Sequence, residues 1–264
     1  MTARRGTYLD RILDHHRGRA ADDSRSLADL RAQVADLEPC RGFAARVQAD
    51  ATSALAVVAE IKRRSPSKGD LFADLDPAVL ARQYELGGAS CLSVLTDAPH
   101  FGGSIDDLCA ARAAVGLPVL RKDFTVAERD VFDTRLMGAD CILLIAAALD
   151  ANELVDLCGS ALSIGLDVLV EIHDEDELAV AVAAAAPAIG VNQRDLVTFE
   201  VDHARAERMA AVIPDSVVKV AESGVRDADD ATALRRSGYD AILVGEILVR
   251  SGDPTAEVRS LRIR

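Results

Sequence analysis

Acidic and basic side chains stand at the ends of short apolar runs along this chain. Glu60 and Lys62 end the run VVAEIK, Lys122 follows PVLR, Glu171 follows DVLV, and Glu222 follows VVKVA. Burial raises the pKa of a carboxyl group and lowers that of a lysine, so such residues can exchange protons near neutral pH. A desolvated lysine can also form a Schiff base. This set therefore predicts proton-transfer chemistry.

Simple ion pairing is the competing explanation for the same residues. Side chains two positions apart share one face of a strand, so Glu60 and Lys62 could form a salt bridge at the rim of a sheet. Lys122 could likewise pair with Asp123, the next residue. The residue types alone leave both explanations open.

Two further residues suit the recognition of a polar or anionic group. In the segment GVNQRD, Asn192 offers an amide and Arg194 offers a bidentate guanidinium that matches a carboxylate. Arg194 could instead pair with Asp195 at the surface.

A phosphate site is predicted near the end of the chain. Ser223 and Gly224 follow one apolar run, and Gly245 ends the next. Glycine lets backbone N–H groups approach an anion closely, although a lone glycine is also typical of a tight turn. Ser65, in the long segment after the first run, could add a hydroxyl group to the same phosphate.

The elements that must position these residues recur about every 20 to 35 residues, with helical pattern between them. This rhythm predicts an α/β fold with a single (β/α)₈ barrel, the TIM barrel, whose chemistry lies at the C-terminal ends of its strands. Helix-start signals at Asp76, Ser104, Asp150, Asp174 and Asp227 agree with it. The eight runs are Val57 to Lys62, Cys91 to Thr96, Pro118 to Asp123, Cys141 to Ala146, Asp167 to Ile172, Ala188 to Asn192, Val217 to Ser223 and Ala241 to Glu246.

The segment before the first strand carries two amphipathic patterns. Apolar residues repeat at helical spacing around Tyr8 to Leu13 and again from Leu27 to Leu37. We expect residues 1–264 to form one barrel domain, with residues 1 to about 50 as an N-terminal helical extension. We expect the extension to cover the N-terminal end of the barrel; the alternative is that it reaches round to the active-site mouth.

Composition excludes several classes of function. The chain has 264 residues, a formal charge of -13 and a pI of about 4.8, which disfavours binding to nucleic acid or to an anionic membrane. Aromatic residues make up only 3%, leaving few platforms for flat cofactors. Five cysteines without a CxxC pair, and no apolar signal segment, predict a cytoplasmic protein.

No metal motif is found. The five histidines have neither HExxH nor zinc-finger spacing, and no phosphate loop of the GxGxxG or GxxxxGK[ST] type is present. His173 is the one histidine that we expect near the mouth, and we interpret it as a loop residue.

Taken together, the motifs resemble those of the indole-3-glycerol phosphate synthase family. The resemblance runs from about Val57 to Gly252 in conserved order: AEIKRRSPSKG, SVLTD with FGGS, PVLRKDF, VEIH, IGVNQRDL, AESGV and ILVGE. It implies a (β/α)₈ fold with an N-terminal helical extension and no metal or organic cofactor. It also implies conversion of 1-(2-carboxyphenylamino)-1-deoxyribulose 5-phosphate to indole-3-glycerol phosphate, CO₂ and water, a carboxy-lyase step in tryptophan biosynthesis.

The resemblance also implies roles for the residues that match these motifs. Lys122 would be the general acid for ring closure and Glu171 would transfer a proton during dehydration, while Lys62 and Arg194 would hold the substrate carboxylate. The remaining implied roles are charge and orientation for Glu60, Asn192, Glu222 and Ser223, phosphate binding for Ser65, Gly224 and Gly245, and apolar walls for the anthranilate ring from Phe101 and Phe124. The chain departs from the family pattern at His100 and Gln193.

Other functions compatible with the same residues are a sugar-phosphate isomerase or aldolase on this barrel. A non-catalytic barrel that only binds a ligand is a further alternative. The expected partner is a small phosphorylated substrate, and the expected assembly is a monomer or a weak homo-oligomer.

Overall fold

Eight parallel strands close into a barrel at the centre of the computed structural model, which describes residues 6–65, 69–72 and 74–264. Each strand pairs with its neighbours in chain order, and the last pairs with the first. The predicted (β/α)₈ barrel is confirmed, with strand ends within two residues of those expected. The barrel strands are β1 (Ala56–Ile61), β4 (Cys91–Leu95), β5 (Val119–Lys122), β6 (Cys141–Ile145), β7 (Asp167–Ile172), β8 (Ala188–Asn192), β9 (Val218–Glu222) and β10 (Ala241–Val244).

Helices surround the barrel, and all five predicted helix-start residues are N-caps whose side chains accept backbone N–H bonds. None of the helices in the described ranges is long and apolar enough to cross a membrane. They are α4 (Pro77–Gly87), α5 (Ala98–Phe101), α6 (Ile105–Ala114), α7 (Glu128–Leu136), α8 (Ala151–Ser163), α9 (Glu175–Ala183), α10 (His203–Ala210), α11 (Ala228–Arg236), α12 (Glu246–Arg250) and α13 (Pro254–Leu261).

The two-residue period of the strands decides which side chains reach the site. In β1, Ala56 and Val58 belong to the cluster that fills the barrel, whereas Val57, Ala59 and Ile61 pack under the outer helices. Glu60 has the same parity as Ala56 and Val58, so it faces the interior. The same parity aims Lys122, Glu171, Asn192 and Glu222 inward from the C-terminal ends of their strands.

The long loop after β1 folds back on itself. Residues Arg64–Ser65 (β2) and Gly69–Asp70 (β3) form a short antiparallel pair, and Leu71 and Phe72 donate backbone hydrogen bonds to the carbonyl of Arg63. Pro66, which belongs to this loop, lies outside the described residues. The described part of the loop therefore forms a short antiparallel pair beside the mouth.

The N-terminal extension runs from one end of the barrel to the other, so the expectation that it covers only the N-terminal end was wrong. It contains three helices, not two: α1 (Tyr8–Asp22), α2 (Leu27–Ala35) and α3 (Phe43–Ala51). Helix α1 lies at the C-terminal mouth, where Nε2 of His16 donates to the carboxylate of Asp97 at 2.9 Å. Helix α2 packs against α7 through Leu30, Val34 and Phe132.

Helix α3 takes the position that was expected for the whole extension. The N–H of Ala44 donates to Asp167 at the start of β7, at 2.9 Å, and Phe43 accepts from Cys91 at the start of β4. Phe43 and Val47 are fully buried beneath the strands. Helix α3 therefore covers the N-terminal end of the barrel.

Asp140 fastens this end of the barrel together. Its fully buried carboxylate accepts from the N–H of Arg41 at 2.8 Å, the N–H of Val119 at 2.9 Å and the Arg112 guanidinium at 2.9 Å. One side chain thus joins the extension, β5 and α6. Its removal would leave buried donors without partners, which costs more than the lost bonds themselves.

We therefore predict that Asp140→Ala lowers the free energy of unfolding by about 2–4 kcal/mol, the usual scale for breaking a buried charged network. Urea denaturation at pH 7 measures this change. The matched control is Asp156→Ala on α8, an exposed aspartate, for which we expect a change within about 0.5 kcal/mol. Equal losses in the two variants would contradict the role given to Asp140.

Candidate active site

A cavity of about 550 Å³ opens at the C-terminal ends of the strands. The loops after β1, β4, β5, β8, β9 and β10 surround it, as expected for a barrel of this type. All thirteen residues that the sequence nominated line it: Glu60, Lys62, Ser65, Phe101, Lys122, Phe124, Glu171, Asn192, Arg194, Glu222, Ser223, Gly224 and Gly245.

Lys122 lies between two carboxylates at the centre of the cavity floor. Its Nζ donates to Oε2 of Glu171 at 2.6 Å and to Oε2 of Glu222 at 2.9 Å. Burial by itself lowers the pKa of an ammonium group, but the negative charges of Glu171, Glu222 and Glu60 reverse this, and the pKa of Lys122 is raised. Lys122 is therefore protonated at neutral pH. It does not pair with Asp123, which binds Arg121 and Thr96.

Glu171 has more polar contacts than Glu222. Its Oε1 accepts from Nδ2 of Asn192 at 2.9 Å, and Nε2 of His173 lies 3.9 Å away. Burial raises the pKa of this carboxyl, but the charges of Lys122 and His173 and the hydrogen bonds from Lys122 and Asn192 outweigh it, and the pKa falls below its usual range. Glu171 therefore stays ionised.

For Glu222, the effects that raise the pKa outweigh those that lower it. Its Oε1 is buried and has no hydrogen-bond partner among the described residues. Burial, with the nearby charges of Glu171 and Glu60, raises the pKa of Glu222 to about 7 despite the contact with Lys122. Two carboxylates that share one lysine thus differ in protonation near neutrality, which is how enzymes separate an acid from a base.

Two glycines make room for the inward carboxylates. A Cβ added at Gly190 would lie 2.0 Å from Oε1 of Glu222, and one at Gly245 would lie 2.6 Å from Oε1 of Glu60. Any larger residue would push these carboxylates out of place. Gly245, nominated for phosphate binding, therefore also gives Glu60 its space.

Glu60 and Lys62 form a salt bridge at the edge of the floor. Glu60 is only 4% exposed and its backbone carbonyl accepts from Tyr84. Lys62, past the end of β1, is half-buried and faces the cavity. The salt bridge that the sequence offered as an alternative to a catalytic role is present. It forms part of the cavity wall.

Arg194 is oriented by its own loop. Its backbone N–H donates to Oδ1 of Asn192 at 3.0 Å, and its Nη1 donates to the carbonyl of Phe199 at 3.0 Å. No ion pair joins it to Asp195 in the described parts of the chain, since Asp195 instead accepts from Val197 and Thr198. The guanidinium therefore faces the cavity.

Apolar side chains form one wall of the cavity. The rings of Phe101 and Phe124 lie 6.2 Å apart, tilted by 36°, above the aliphatic residues Leu143 and Ile145. A flat hydrocarbon ring would find apolar contacts here, opposite the charged residues on the other strands.

The loop after β9 is held in a strained conformation. Ser223 has a φ of 64° and Gly224 a φ of 78°, and positive φ is unfavourable for serine. The side chain of Gln193, only 2% exposed, donates to the carbonyl of Ser223 at 2.7 Å. Gln193 was noted in the sequence only as a departure from the family pattern, and the structure gives it a contact.

Three histidines besides His173 lie at the mouth, so the expectation of a single one was wrong. Asp97 accepts from the N–H of His100 at 2.7 Å, and its other oxygen contacts both imidazole rings, that of His16 at 2.9 Å and that of His100 at 3.0 Å. His203 lines the cavity. Hydrogen bonds from His16 and His100 hold the pKa of Asp97 low despite burial.

No sequence motif indicated this cluster, because His16 and Asp97 are 81 positions apart. With Asp123, they bring three possible metal ligands within 4.8 Å of one another. Nε2 of His16 and the carboxylates of Asp97 and Asp123 already have hydrogen-bond partners within the protein. The cluster is therefore explained as the anchor that fixes α1 to the mouth.

Known proteins resemble this chain over most of its length. The family model for indole-3-glycerol phosphate synthase matches residues 9–261. The indole-3-glycerol phosphate synthase of Nocardioides sp. (strain JS614) is 50% identical over 240 residues, covering 91% of each chain. Indole-3-glycerol phosphate synthase 1 of Streptomyces coelicolor is 48% identical over 257 residues, covering 97% of this chain and 94% of the relative.

Solved structures of other proteins share the fold at low sequence identity. The 3-hexulose-6-phosphate synthase of Salmonella typhimurium has a TM-score of 0.62 at 13% identity, covering 78% of this chain and 96% of that one. The thiamine phosphate pyrophosphorylase of Pyrococcus furiosus has a TM-score of 0.59 at 15% identity, covering 78% and 93%. These similarities support the barrel alone.

The family match spans both the helical extension and the barrel, and the two relatives align over almost their whole length. By these matches, the chain belongs to the indole-3-glycerol phosphate synthase family.

Proposed function

We propose that this chain closes the indole ring of a tryptophan precursor at the mouth of its barrel. The substrate is 1-(2-carboxyphenylamino)-1-deoxyribulose 5-phosphate and the products are indole-3-glycerol phosphate, CO₂ and water. The observation that carries the proposal is the protonated Lys122 held between Glu171 and Glu222 beside an apolar wall. This arrangement offers one acid and two carboxyl groups of different pKa to a ring-shaped, charged substrate.

Ring closure requires a proton on the ribulose carbonyl. The ring carbon that bears the carboxylate attacks this carbonyl carbon, a C–C bond forms, and the oxygen takes a proton from Lys122 to become a hydroxyl. The carboxylate then leaves as CO₂, and its bonding electrons restore the aromatic ring. Lys62 and Arg194 hold the carboxylate until it leaves.

Dehydration then needs a base and an acid. The ionised Glu171 accepts the proton lost from the methylene carbon next to nitrogen, and the hydroxyl leaves as water with a proton from Glu222. Loss of water forms the second double bond of the new ring. Glu60 and Asn192 keep these groups in position through their contacts with Lys62 and Glu171.

The phosphate and the ring of the substrate occupy opposite sides of the cavity. We assign the phosphate to Ser65, Ser223, Gly224 and Gly245, where backbone N–H groups and hydroxyls can donate to it. The anthranilate ring lies against Phe101 and Phe124. We further propose that the protein acts without a cofactor in the cytoplasm, as a monomer or weak homo-oligomer.

An aldolase or a sugar-phosphate isomerase that forms an imine is a weaker candidate. Imine formation requires an unprotonated lysine, whereas two carboxylates hold Lys122 as an ammonium ion. An acid role fits this electrostatic environment better. A barrel that only binds a ligand has no need of an acid and two carboxylates together.

The test of the function is incubation of metal-free protein with the substrate, following indole fluorescence and CO₂ release together. Both signals should rise in equal amounts. Binding of substrate without either signal would overturn the catalytic proposal in favour of a binding role.

Substitution of Lys122 tests its role as the general acid. We expect Lys122→Met to lower kcat by about 10²-fold or more, the usual effect of losing a positioned general acid. The matched control is Lys219→Met, since Lys219 lies near the opposite end of β9 and pairs with Asp215. Circular dichroism checks that both variants are folded; similar kcat values for the two would exclude Lys122 as the acid.

The raised pKa of Glu222 should make the stability of the fold depend on pH. A folded-state pKa of about 7, above the usual 4.5, means that the folded protein binds this proton more tightly than the unfolded chain. Ionised Glu222 therefore destabilises the fold above pH 7, and the penalty disappears as the pH falls toward 5.

Accordingly, urea denaturation at pH 8 should give Glu222→Gln a free energy of unfolding about 1–3 kcal/mol higher than that of the natural protein. The free energies of unfolding of the two proteins should converge near pH 5. The same variant should turn over more slowly, because the amide cannot supply the proton. A constant stability difference across this pH range would be incompatible with a raised pKa.

Substitution of Gln193 tests the loop after β9, to which we assign the phosphate. Gln193→Ala removes the hydrogen bond that holds the Ser223 carbonyl, so the loop should lose its binding geometry. We expect KM to rise about 5-fold, the equivalent of one hydrogen bond, with kcat nearly unchanged. Steady-state kinetics measure this split, with the exposed Gln33→Ala on α2 as the control; a change in kcat alone would place Gln193 outside phosphate binding.

A further inference from the structure

His173 occupies an unusual position beside the site. It follows the last residue of β7 and two positions after Glu171, and its ring is mostly buried, with the side chain 13% exposed. Its Nε2 faces Oε1 of Glu171 at 3.9 Å and has no hydrogen-bond partner within the described ranges. The proposed chemistry makes no use of this ring.

Glu177, on the first turn of α9, holds the other side of the same ring. Its Oε2 lies 3.1 Å from Nδ1 of His173 and also accepts the backbone N–H of His173 at 2.7 Å. A carboxylate at Nδ1 requires a proton there, which fixes the orientation and tautomer of the imidazole. Nε2 is consequently directed at Glu171.

The ring thus lies between two carboxylates. A bare Nε2 would present a lone pair to the ionised Glu171, whereas a protonated Nε2 presents a positive charge. Burial lowers the pKa of His173, but the bond to Glu177 and the charges of Glu171 and Glu177 raise it overall, against a smaller opposing effect of Arg205. The geometry therefore favours the imidazolium.

Glu171 and Glu222 contact the same ammonium group. Within the described residues, only Glu171 also has a hydrogen-bond donor and a basic side chain on the side away from Lys122. These are Asn192 from β8 and His173 from β7. Glu222 has a bare, buried oxygen there, and Glu60 from β1 adds negative charge. Asn192 is neutral, so within the described residues the positive charge that distinguishes the two carboxylates is on His173.

We propose that His173, held by Glu177, is a positioning residue that keeps Glu171 as the ionised member of the carboxylate pair around Lys122. Its charge directs the shared proton of the pair to Glu222, the side from which the leaving hydroxyl is protonated. This inference rests on the proposed function only for the consequence in turnover. The location of the proton can be measured without substrate.

The test compares His173→Gln with the natural protein by ¹³C NMR of protein labelled at the glutamate carboxyl carbon. The Glu171 signal is identified by its loss in Glu171→Gln. In the natural protein this signal should keep an ionised shift from pH 9 to pH 5. In His173→Gln the pKa of Glu171 should rise by about one unit from about 2, the smaller end of the effect of an opposite charge at this distance, so the titrations are followed from pH 5 down to pH 2 with circular dichroism as a check of folding.

Glu177→Gln provides a second variant outside the cavity. It should move the Glu171 titration in the same direction by a smaller amount, because His173 loses the partner that stabilises its charge. The matched control is Asp176→Asn, which removes a charge from the same turn of α9 at an exposed position. It should leave the titration unchanged.

The pH profile of kcat gives the catalytic readout. Loss of the imidazolium should move the near-neutral ionisation of the carboxylate pair to higher pH in His173→Gln, whereas a purely structural role would lower kcat equally at every pH. An unchanged Glu171 titration in both His173→Gln and Glu177→Gln would overturn the inference. If Glu171→Gln proved fully active, the proposed role of Glu171 in turnover would fail, while the NMR result would still decide the role of His173.

Discussion

The site depends on one buried ammonium group shared by two carboxylates. Lys122 is the ammonium group that Glu171 and Glu222 share, so one positive charge contacts two negative charges when both carboxylates are ionised. Water cannot screen the second negative charge inside the barrel, and a proton on one carboxylate removes it. The pKa of Glu222 is therefore raised first by burial and then by the negative charge of Glu171, the second carboxylate at the same lysine.

The barrel makes this arrangement possible in two ways. Strand parity aims the last inward residue of five strands at one point, and the glycines at positions 190 and 245 leave the space that carboxylates of Glu222 and Glu60 need. The charged floor stabilises little by itself. Stability comes from the apolar layers between strands and helices and from buried hydrogen-bonded networks at the far end, such as that of Asp140.

Local pattern in the sequence predicted the barrel and eleven of the thirteen cavity residues, whereas Phe101 and Phe124 were expected only from the family resemblance. Apolar runs of strand length recur with helices between them, and a charged residue at the end of a run faces the mouth if its parity is inward. The path of the extension did not follow from local pattern. An amphipathic stripe shows that α1 buries one face, but not which end of the barrel it covers.

The contacts that decide this path join residues far apart in the chain. His16 meets Asp97, and Tyr8 packs edge-on against Phe199 at 5.4 Å between ring centroids. The helix α3 was missed for a different reason: it is nine residues long and begins after Gly42, whose φ of 70° is left-handed and which offers no side-chain cap. Gln193 was similarly noticed only as a departure, because its function is visible only through the backbone of Ser223.

Strained backbone conformations at the mouth point to the demands of the chemistry. Phe199 and Ser223 both have positive φ, and each carbonyl is held by a buried or loop-bound side chain, Arg194 for Phe199 and Gln193 for Ser223. Arg194 and Gln193 follow Asn192 directly, and Asn192 itself binds Glu171. Asn192, at the end of β8, and the next two residues therefore connect the Glu171 carboxylate, the loop that contains Phe199 and the loop after β9. A displacement of the end of β8 would disturb all three contacts together, because Gln193 and Arg194 directly follow its last residue.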